Sequence, residues 1–72
     1  MTDAQRKRSQ ALAREFKKFR VDNLFTQAML ADQLRCSRRT IVSIENAELI
    51  SPHYHLLRKF RDLKAREERR VA

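Results

Sequence analysis

Apolar residues recur three and four positions apart along most of the chain, and this spacing constrains the fold more than any other feature. It places them on one face of successive helices. The sequence has no glycine and a single proline, which disfavours an all-β fold built on tight turns. We therefore predict an all-α fold, a compact bundle of four or five short helices. The residues with this spacing are Leu12, Phe16 and Phe19; Met29, Leu30 and Leu34; Ile41 and Ile44; and Leu56, Phe60 and Leu63.

The two end segments are predicted to form the longest helices. The first should run from about Asp3 to Asp22, with Asn23 in the left-handed conformation that asparagine tolerates. The last should begin with Ser51 as N-cap and Pro52 at the first helical position, which is the strongest start signal in the chain. It should continue through Leu63. We expect the charged tail 64–72 to be a frayed, solvated end, because it has no apolar face.

Length and composition limit the classes of function. Seventy-two residues make one domain, 1–72, which buries only about 60% of its unfolded surface and leaves no room for a catalytic cleft. No nucleophile–base constellation and no glycine-rich phosphate loop is visible, so we expect no enzymatic activity. His53, His55 and Cys36 lack zinc-ligand spacing, and we expect no metal and no cofactor. The absence of an apolar span, of a signal peptide and of a cysteine pair leads us to expect a cytoplasmic, nucleoid-associated protein.

Charge points to a polyanionic partner. The net charge is +8 and the pI is about 10.8. Residues 1–22 and 51–72 each carry a net charge of +4, whereas residues 23–50 sum to zero. This distribution suits a division between general attraction to a phosphate backbone and reading of bases. The alternative is a basic surface that is merely solvated.

Residues 26–46 predict two short helices joined by a tight turn. Thr26 and Ser37 are good N-caps, and the helices should end near Leu34 and Asn46. Ala31 is small enough for a close helix crossing, and Cys36 falls between the helices as a packed thiol. A redox sensor or a metal ligand is the minor alternative for this cysteine. Leu30, Leu34, Ile41 and Ile44 supply the buried faces of this helix-turn-helix, whose limits are 27–46.

This stretch resembles the lambda-repressor-like helix-turn-helix family (XRE or Cro type) of bacterial and phage regulators. The family pattern is roughly L-S/T-Q-x-x-L-A-x-x-L-G-V-S-x-x-T-I/V-x-x-I/L-E-N-G, and the resemblance covers about residues 20 to 63. Two positions depart from it, because Arg35 replaces the turn glycine and Ala47 replaces the last glycine. The residues in register are Phe25, Thr26, Gln27, Leu30, Ala31, Leu34, Cys36, Ser37, Thr40, Ile41, Ile44, Glu45 and Asn46.

Candidate DNA contacts follow from this interpretation. Helix-turn-helix units place the N-terminal residues of their second helix against base edges, and here Arg38 and Arg39 hold those positions. Arginine pairs with guanine in a bidentate way, so we expect a guanine-containing half-site. Ser43 and Val42 are further base-reading candidates. The alternative for both arginines is phosphate contact alone.

Further roles concern the DNA backbone and one ion pair. The resemblance implies that Gln27 binds a phosphate and that Glu45 pairs with Arg20. The remaining phosphate candidates are Thr26, Ser37, Thr40, Asn46 and Arg35, of which Thr26 and Ser37 could act only as N-caps. Three further apolar residues in or near the last helix are either part of the core or a dimer patch: Ile50, Tyr54 and Leu57.

The sequence thus predicts a sequence-specific regulator of transcription. It would bind double-stranded DNA through a recognition helix of about Arg38 to Asn46, as a homodimer and a repressor that occludes its operator. The first alternative is a DNA-binding antitoxin that also binds a toxin protein. The second is an RNA-binding or non-specific nucleic-acid protein, which the scarcity of aromatic residues disfavours.

Overall fold

The computed structural model describes residues 2–48 and 54–71, and within them the chain forms four helices and no strand. These are α1 (Asp3–Asp22), α2 (Gln27–Leu34), α3 (Arg38–Glu45) and α4 (Tyr54–Val71). The all-α prediction is confirmed. Ile50, Ser51, Pro52 and His53 lie outside the described residues, and with them the predicted start of the last helix. None of the four helices is long and apolar enough to cross a membrane.

Side-chain caps set the starts of the first three helices. Thr2 and Gln5 form a reciprocal capping box, with Gln5 N donating to Thr2 Oγ1 over 3.2 Å and Thr2 N to Gln5 Oε1 over 2.9 Å. Thr26 Oγ1 accepts from Met29 N, and Ser37 Oγ accepts from Thr40 N. Each hydroxyl thereby satisfies a backbone donor that has no partner within the helix.

The same helices end in left-handed residues, although none of these is glycine. Leu24, Arg35 and Ala47 have φ values of 60°, 54° and 57°. In each case the left-handed residue donates three residues back and the next residue donates five residues back, which is the Schellman arrangement. The prediction that Asn23 is left-handed is wrong. Asn23 has φ −102°, and its Nδ2 instead donates to the carbonyl oxygen of Phe19 over 2.8 Å.

One core joins the four helices. Phe16 lies at its centre and stacks on Phe60, with ring centroids 3.9 Å apart, and Phe19 meets Phe60 edge to face. Met29 lies on the predicted apolar stripe of α2 but is 46% exposed, so it does not belong to the core. The other buried members are Leu30, Ala31, Leu34, Ile41, Ile44, Leu56 and Leu63, with Leu12, Phe25, Cys36 and Leu57 packed against them.

The charged tail is helical, contrary to the expectation of a frayed end. α4 continues to Val71 without a break. Lys64 donates to Glu15 of α1 over 2.7 Å, and the Glu67 side chain is only 14% exposed. The tail therefore packs against the C-terminal half of α1 through long, partly apolar stems of charged residues, a contact that an apolar-face criterion does not detect.

Candidate nucleic-acid interface

The α2–α3 unit is built around a buried seam. Ala31 is 4% exposed, and its carbonyl oxygen accepts from Cys36 N over 3.0 Å as the chain turns. Arg35 occupies the left-handed position of this turn, so it accepts strain that a glycine would avoid. Ile41 and Ile44 hold α3 against the core with 0% and 2% exposure. The turn and the seam together fix the angle at which α3 leaves α2.

An ion pair between Arg20 and Glu45 clamps α3 to α1, as the resemblance implied. Arg20 Nε donates to Glu45 Oε2 over 2.8 Å, and Arg20 Nη2 donates to Oε1 over 3.1 Å. The Arg20 and Glu45 side chains are 19% and 2% exposed. A bidentate pair of this kind fixes direction as well as distance. Arg20 Nη1 also reaches the carbonyl oxygen of Phe25 over 3.2 Å, so the guanidinium holds the α1–α2 turn too.

Gln27 joins this network from the first position of α2. Its Nε2 lies 3.5 Å from Glu45 Oε1, a long hydrogen bond. One amide hydrogen is directed at Glu45, which leaves the second free to donate to a phosphate. The candidate phosphate contact is therefore braced by α3 itself. Gln27, Arg20 and Glu45 connect three helices through adjoining polar atoms.

The outer side of α3 carries the base-reading candidates. Arg38 and Arg39 are exposed, and within the described residues neither forms an ion pair. At about 100° per residue, Arg39 and Ser43 lie in nearly one row, and Arg38 and Val42 in the next. Ser43 and Val42 are half-buried. The side opposite this surface carries Ile41 and Ile44, so the exposed arginines face solvent because the core orients the helix.

Hydroxyl groups cluster at the start of α3. Ser37 Oγ and Thr40 Oγ1 lie 2.9 Å apart, and Ser37 Oγ also accepts from Thr40 N over 3.2 Å. Thr26 has the same capping role at α2. A capping hydroxyl accepts from the backbone and keeps its own hydrogen, so N-capping does not use up its capacity to donate to a phosphate. Both roles are therefore compatible for Thr26, whereas at α3 one hydroxyl hydrogen is used between Ser37 and Thr40 and one is left to donate outward.

The two remaining phosphate candidates lie at helix ends. Arg35 is exposed in the turn between α2 and α3, and Asn46 is exposed at the end of α3. The structure thus brings Arg35 near Ser37 at one end of α3. Asn46 lies at the other end, beside the Glu45 network. The candidates form no single cluster, and they are distributed over both ends of α3.

Cys36 is a half-buried free thiol packed against the core, as predicted. Burial raises the pKa of this thiol, and the positive charge of Lys59 only partly offsets that effect. A protonated thiol is a poor nucleophile and a poor metal ligand, which fits a packing role.

Sequence reasoning missed one feature of the surface, a groove of about 480 Å³ between α1 and α4. Phe19 forms part of its floor, and its rim holds four carboxylates and two lysines. The pairing of Glu15 with Lys64 across 49 positions gives no local sequence signal. The lining residues are Glu15, Lys18, Phe19, Asp22, Asn23, Lys64, Glu67 and Glu68.

Comparison with protein-family models, with curated proteins and with solved structures gave no match.

Proposed function

We propose that this protein is a sequence-specific double-stranded DNA-binding regulator of the lambda-repressor-like type, with α3 as the helix that enters the major groove. The observation that carries the proposal is the placement of Arg38 and Arg39. Both are exposed and lack an ion pair in the described part of the chain, at the start of a helix whose other side is buried. Such arginines are available to guanine O6 and N7.

The polar groups around the start of α2 and of α3 support contacts to DNA phosphates on either side of the major groove. Gln27 and Thr26 open α2 and each retains a hydrogen to donate, and the hydrogen-bonded Ser37–Thr40 pair at the start of α3 retains one hydroxyl hydrogen between them. Contacts of this kind set the register of the protein on the duplex without reading sequence. The Arg20–Glu45 clamp keeps α3 at a fixed angle, which base reading through bidentate arginines requires.

We propose that the bound protein represses transcription by occluding its operator. We further propose a homodimer acting in the cytoplasm at the nucleoid, with two recognition helices about 34 Å apart on paired half-sites. Half-site spacing near one helical turn, measured in the bound sequence, would support the dimer.

Selection of bound sequences from a random duplex library tests the proposal. Wild type, Arg38→Ala/Arg39→Ala and the control Arg58→Ala/Arg69→Ala would be compared at physiological salt. The control removes two exposed arginines from α4 and the same net charge. We expect a two-fold motif from wild type and the control, and none from the α3 variant. No enriched motif from wild type, with binding that only falls with salt, would overturn sequence-specific regulation.

The groove between α1 and α4 favours the alternative of a DNA-binding antitoxin. None of its lining residues belongs to α2 or α3, so a protein partner seated there would leave the arginines of α3 free. Its excess of carboxylates suits a cationic segment on that partner. Copurification of a second protein, lost when Glu67 and Glu68 are changed to Lys, would favour this function.

A further inference from the structure

The exposed side of α1 carries three basic residues in one row, Lys7, Arg14 and Lys18, here called the basic stripe. At about 100° per residue these positions lie within about 40° of one another around the helix axis. All three are exposed, and the position between Lys7 and Arg14 in this row is Ala11. No carboxylate interrupts the row, although Lys18 pairs at its end with Asp22 over 3.1 Å.

Like charges adjoin in the C-terminal half of the stripe. Arg14 lies three and four residues before Lys17 and Lys18, so these cations are neighbours on the helix surface, where like charges destabilise. Within the described residues neither Arg14 nor Lys17 forms an ion pair. Asp3 and Asp22 lie one turn beyond the two ends of the stripe, but no acidic residue lies one turn from Arg14. In α4, by contrast, Asp62 lies one turn from both Arg58 and Arg66. A row of like charges in which Arg14 has no acidic neighbour one turn away suits a bound polyanion.

The stripe faces away from the recognition helix. Arg20 marks the side of α1 that contacts α3, through its bond to Glu45. Lys7, Arg14 and Lys18 lie about 120–160° around the α1 axis from Arg20. A duplex held against the outer side of α3 is therefore not the duplex that the stripe would meet.

We propose that the basic stripe is a second phosphate-binding surface, which binds the backbone of a separate DNA duplex. The stripe is about 17 Å long, since eleven residues rise 1.5 Å each, and one DNA strand presents about five phosphates over that length. A protein that binds one duplex through α3 and another through the stripe would bridge the two, and this bridging rests on the proposed function of α3. Binding of a duplex by the stripe alone does not rest on it.

Duplex affinity in a protein with its α3 arginines removed tests the stripe alone. In the Arg38→Gln/Arg39→Gln background, a random-sequence duplex would be titrated by fluorescence anisotropy over a range of salt. Adding Lys7→Gln/Arg14→Gln/Lys18→Gln should reduce the slope of log K against log salt by about 2 to 3. The control Arg58→Gln/Arg66→Gln/Arg69→Gln removes the same charge from α4 and should reduce the slope by less than about 1. Equal effects of the two triple changes would overturn the proposal.

A second assay measures bridging with α3 intact. Wild type should retain a labelled duplex on beads that carry another duplex, and the stripe variant should lose that retention several-fold with its selected DNA motif unchanged. Helical circular dichroism checks that each variant is folded. If the stripe variant keeps bridging, or loses only binding to anionic lipid vesicles, the proposal is wrong. If the stripe binds duplex but α3 selects no motif, the proposed function fails and the stripe stands.

Discussion

The two short helices in the middle of the chain and the two long helices at its ends carry their charges differently. α1 and α4 each hold seven basic and three acidic residues, with their ion pairs on the surface or partly exposed, apart from Arg20. Residues 23–50 are balanced in charge, and among the ion pairs of the described residues the Arg20–Glu45 pair is the least exposed. The ends carry the net positive charge, whereas the middle carries Glu45, whose buried pair with Arg20 orients the helix that holds Arg38 and Arg39.

Under the proposed function, this difference separates general attraction to DNA from recognition of bases. Diffuse positive charge raises affinity for any duplex and is screened by salt, whereas fixed arginines on an oriented helix distinguish bases. A rigid clamp is needed only for the second task. Changes in the middle should therefore alter stability or base preference, and changes at the ends should alter general affinity.

Breaking the Arg20–Glu45 pair should have the largest effect. In Arg20→Ala, the Glu45 carboxylate stays buried with only the long bond from Gln27, and we expect a loss of about 3–5 kcal/mol in unfolding free energy. Urea unfolding followed by circular dichroism measures it. The control Lys18→Ala removes an exposed pair to Asp22 and should cost about 1 kcal/mol or less.

The double variant Arg20→Met/Glu45→Leu sharpens this prediction. Replacing both charges by apolar groups removes the unpaired carboxylate, so we expect the double variant to be more stable than Arg20→Ala. If Arg20→Ala is as stable as Lys18→Ala, the buried clamp contributes nothing and the contrast between middle and ends fails for stability.

Base preference and general affinity should separate within the α2–α3 unit. Arg38→Ala should cost about 1–3 kcal/mol on the selected motif and relax preference at one position, because a base contact is lost. Gln27→Ala should weaken selected and random duplexes to a similar degree, since it removes a phosphate donor. Anisotropy titrations with both duplexes measure the two ratios. Indistinguishable ratios for the two variants would contradict the assignment of Arg38 to base reading.

Glycine at the left-handed positions should stabilise the fold. Leu24 has φ 60° and is 86% exposed, so it bears backbone strain without packing in return. Relief of that strain, partly offset by the entropy of glycine in the unfolded chain, should make Leu24→Gly more stable by about 0.5–1 kcal/mol. Thermal and urea unfolding measure the gain. Leu24→Ala, which keeps a Cβ, is the control. An equal gain in stability in Leu24→Ala would show that removal of the exposed leucine side chain, and not relief of backbone strain, is the cause.

Most of the fold could be predicted because caps and apolar spacing agree locally. The bounds of α1 at Asp3 and Asp22 match the predicted ones, and Thr26 and Ser37 cap α2 and α3 as expected. The residues at which the helices end were harder to predict. Preference for asparagine in the left-handed region favoured Asn23, but the Schellman hydrogen bonds put Leu24 there. A single-residue shift of this kind depends on the tertiary contact between the rings of Phe25 and Phe19.

The candidate site divides in the same way. The positions of Arg38, Arg39 and the capping hydroxyls follow from local pattern, and the Arg20–Glu45 pair from the resemblance. The 3.5 Å bond that ties Gln27 to Glu45 and the packing of the tail at Glu67 depend on how helices cross. Neither the length of a hydrogen bond nor the burial of a charged stem is encoded in spacing along the chain.

The pH dependence of the unfolding free energy that Cys36 causes should be the smallest of these effects. This thiol lies in the turn between α2 and α3 and packs against the core. Burial raises the pKa of this thiol in the folded protein. Below its unfolded value of about 8.5 both states hold the proton, so stability is unaffected there. Above that pH the unfolded chain loses the proton first, and the unfolding free energy should fall until the pH passes the folded pKa.

Alkylation rates and stability measured side by side test this expectation. The rate of reaction with a neutral alkylating reagent should reach half its maximum at a higher pH in the folded protein than in urea. The difference in unfolding free energy between wild type and Cys36→Ala should shrink from pH 8 to pH 9.5, because only wild type has the thiol. A folded thiol that ionises at lower pH than the unfolded one would show that the seam is open to solvent and positively charged. The α2–α3 unit would then resemble the ends of the chain more than its rigid middle.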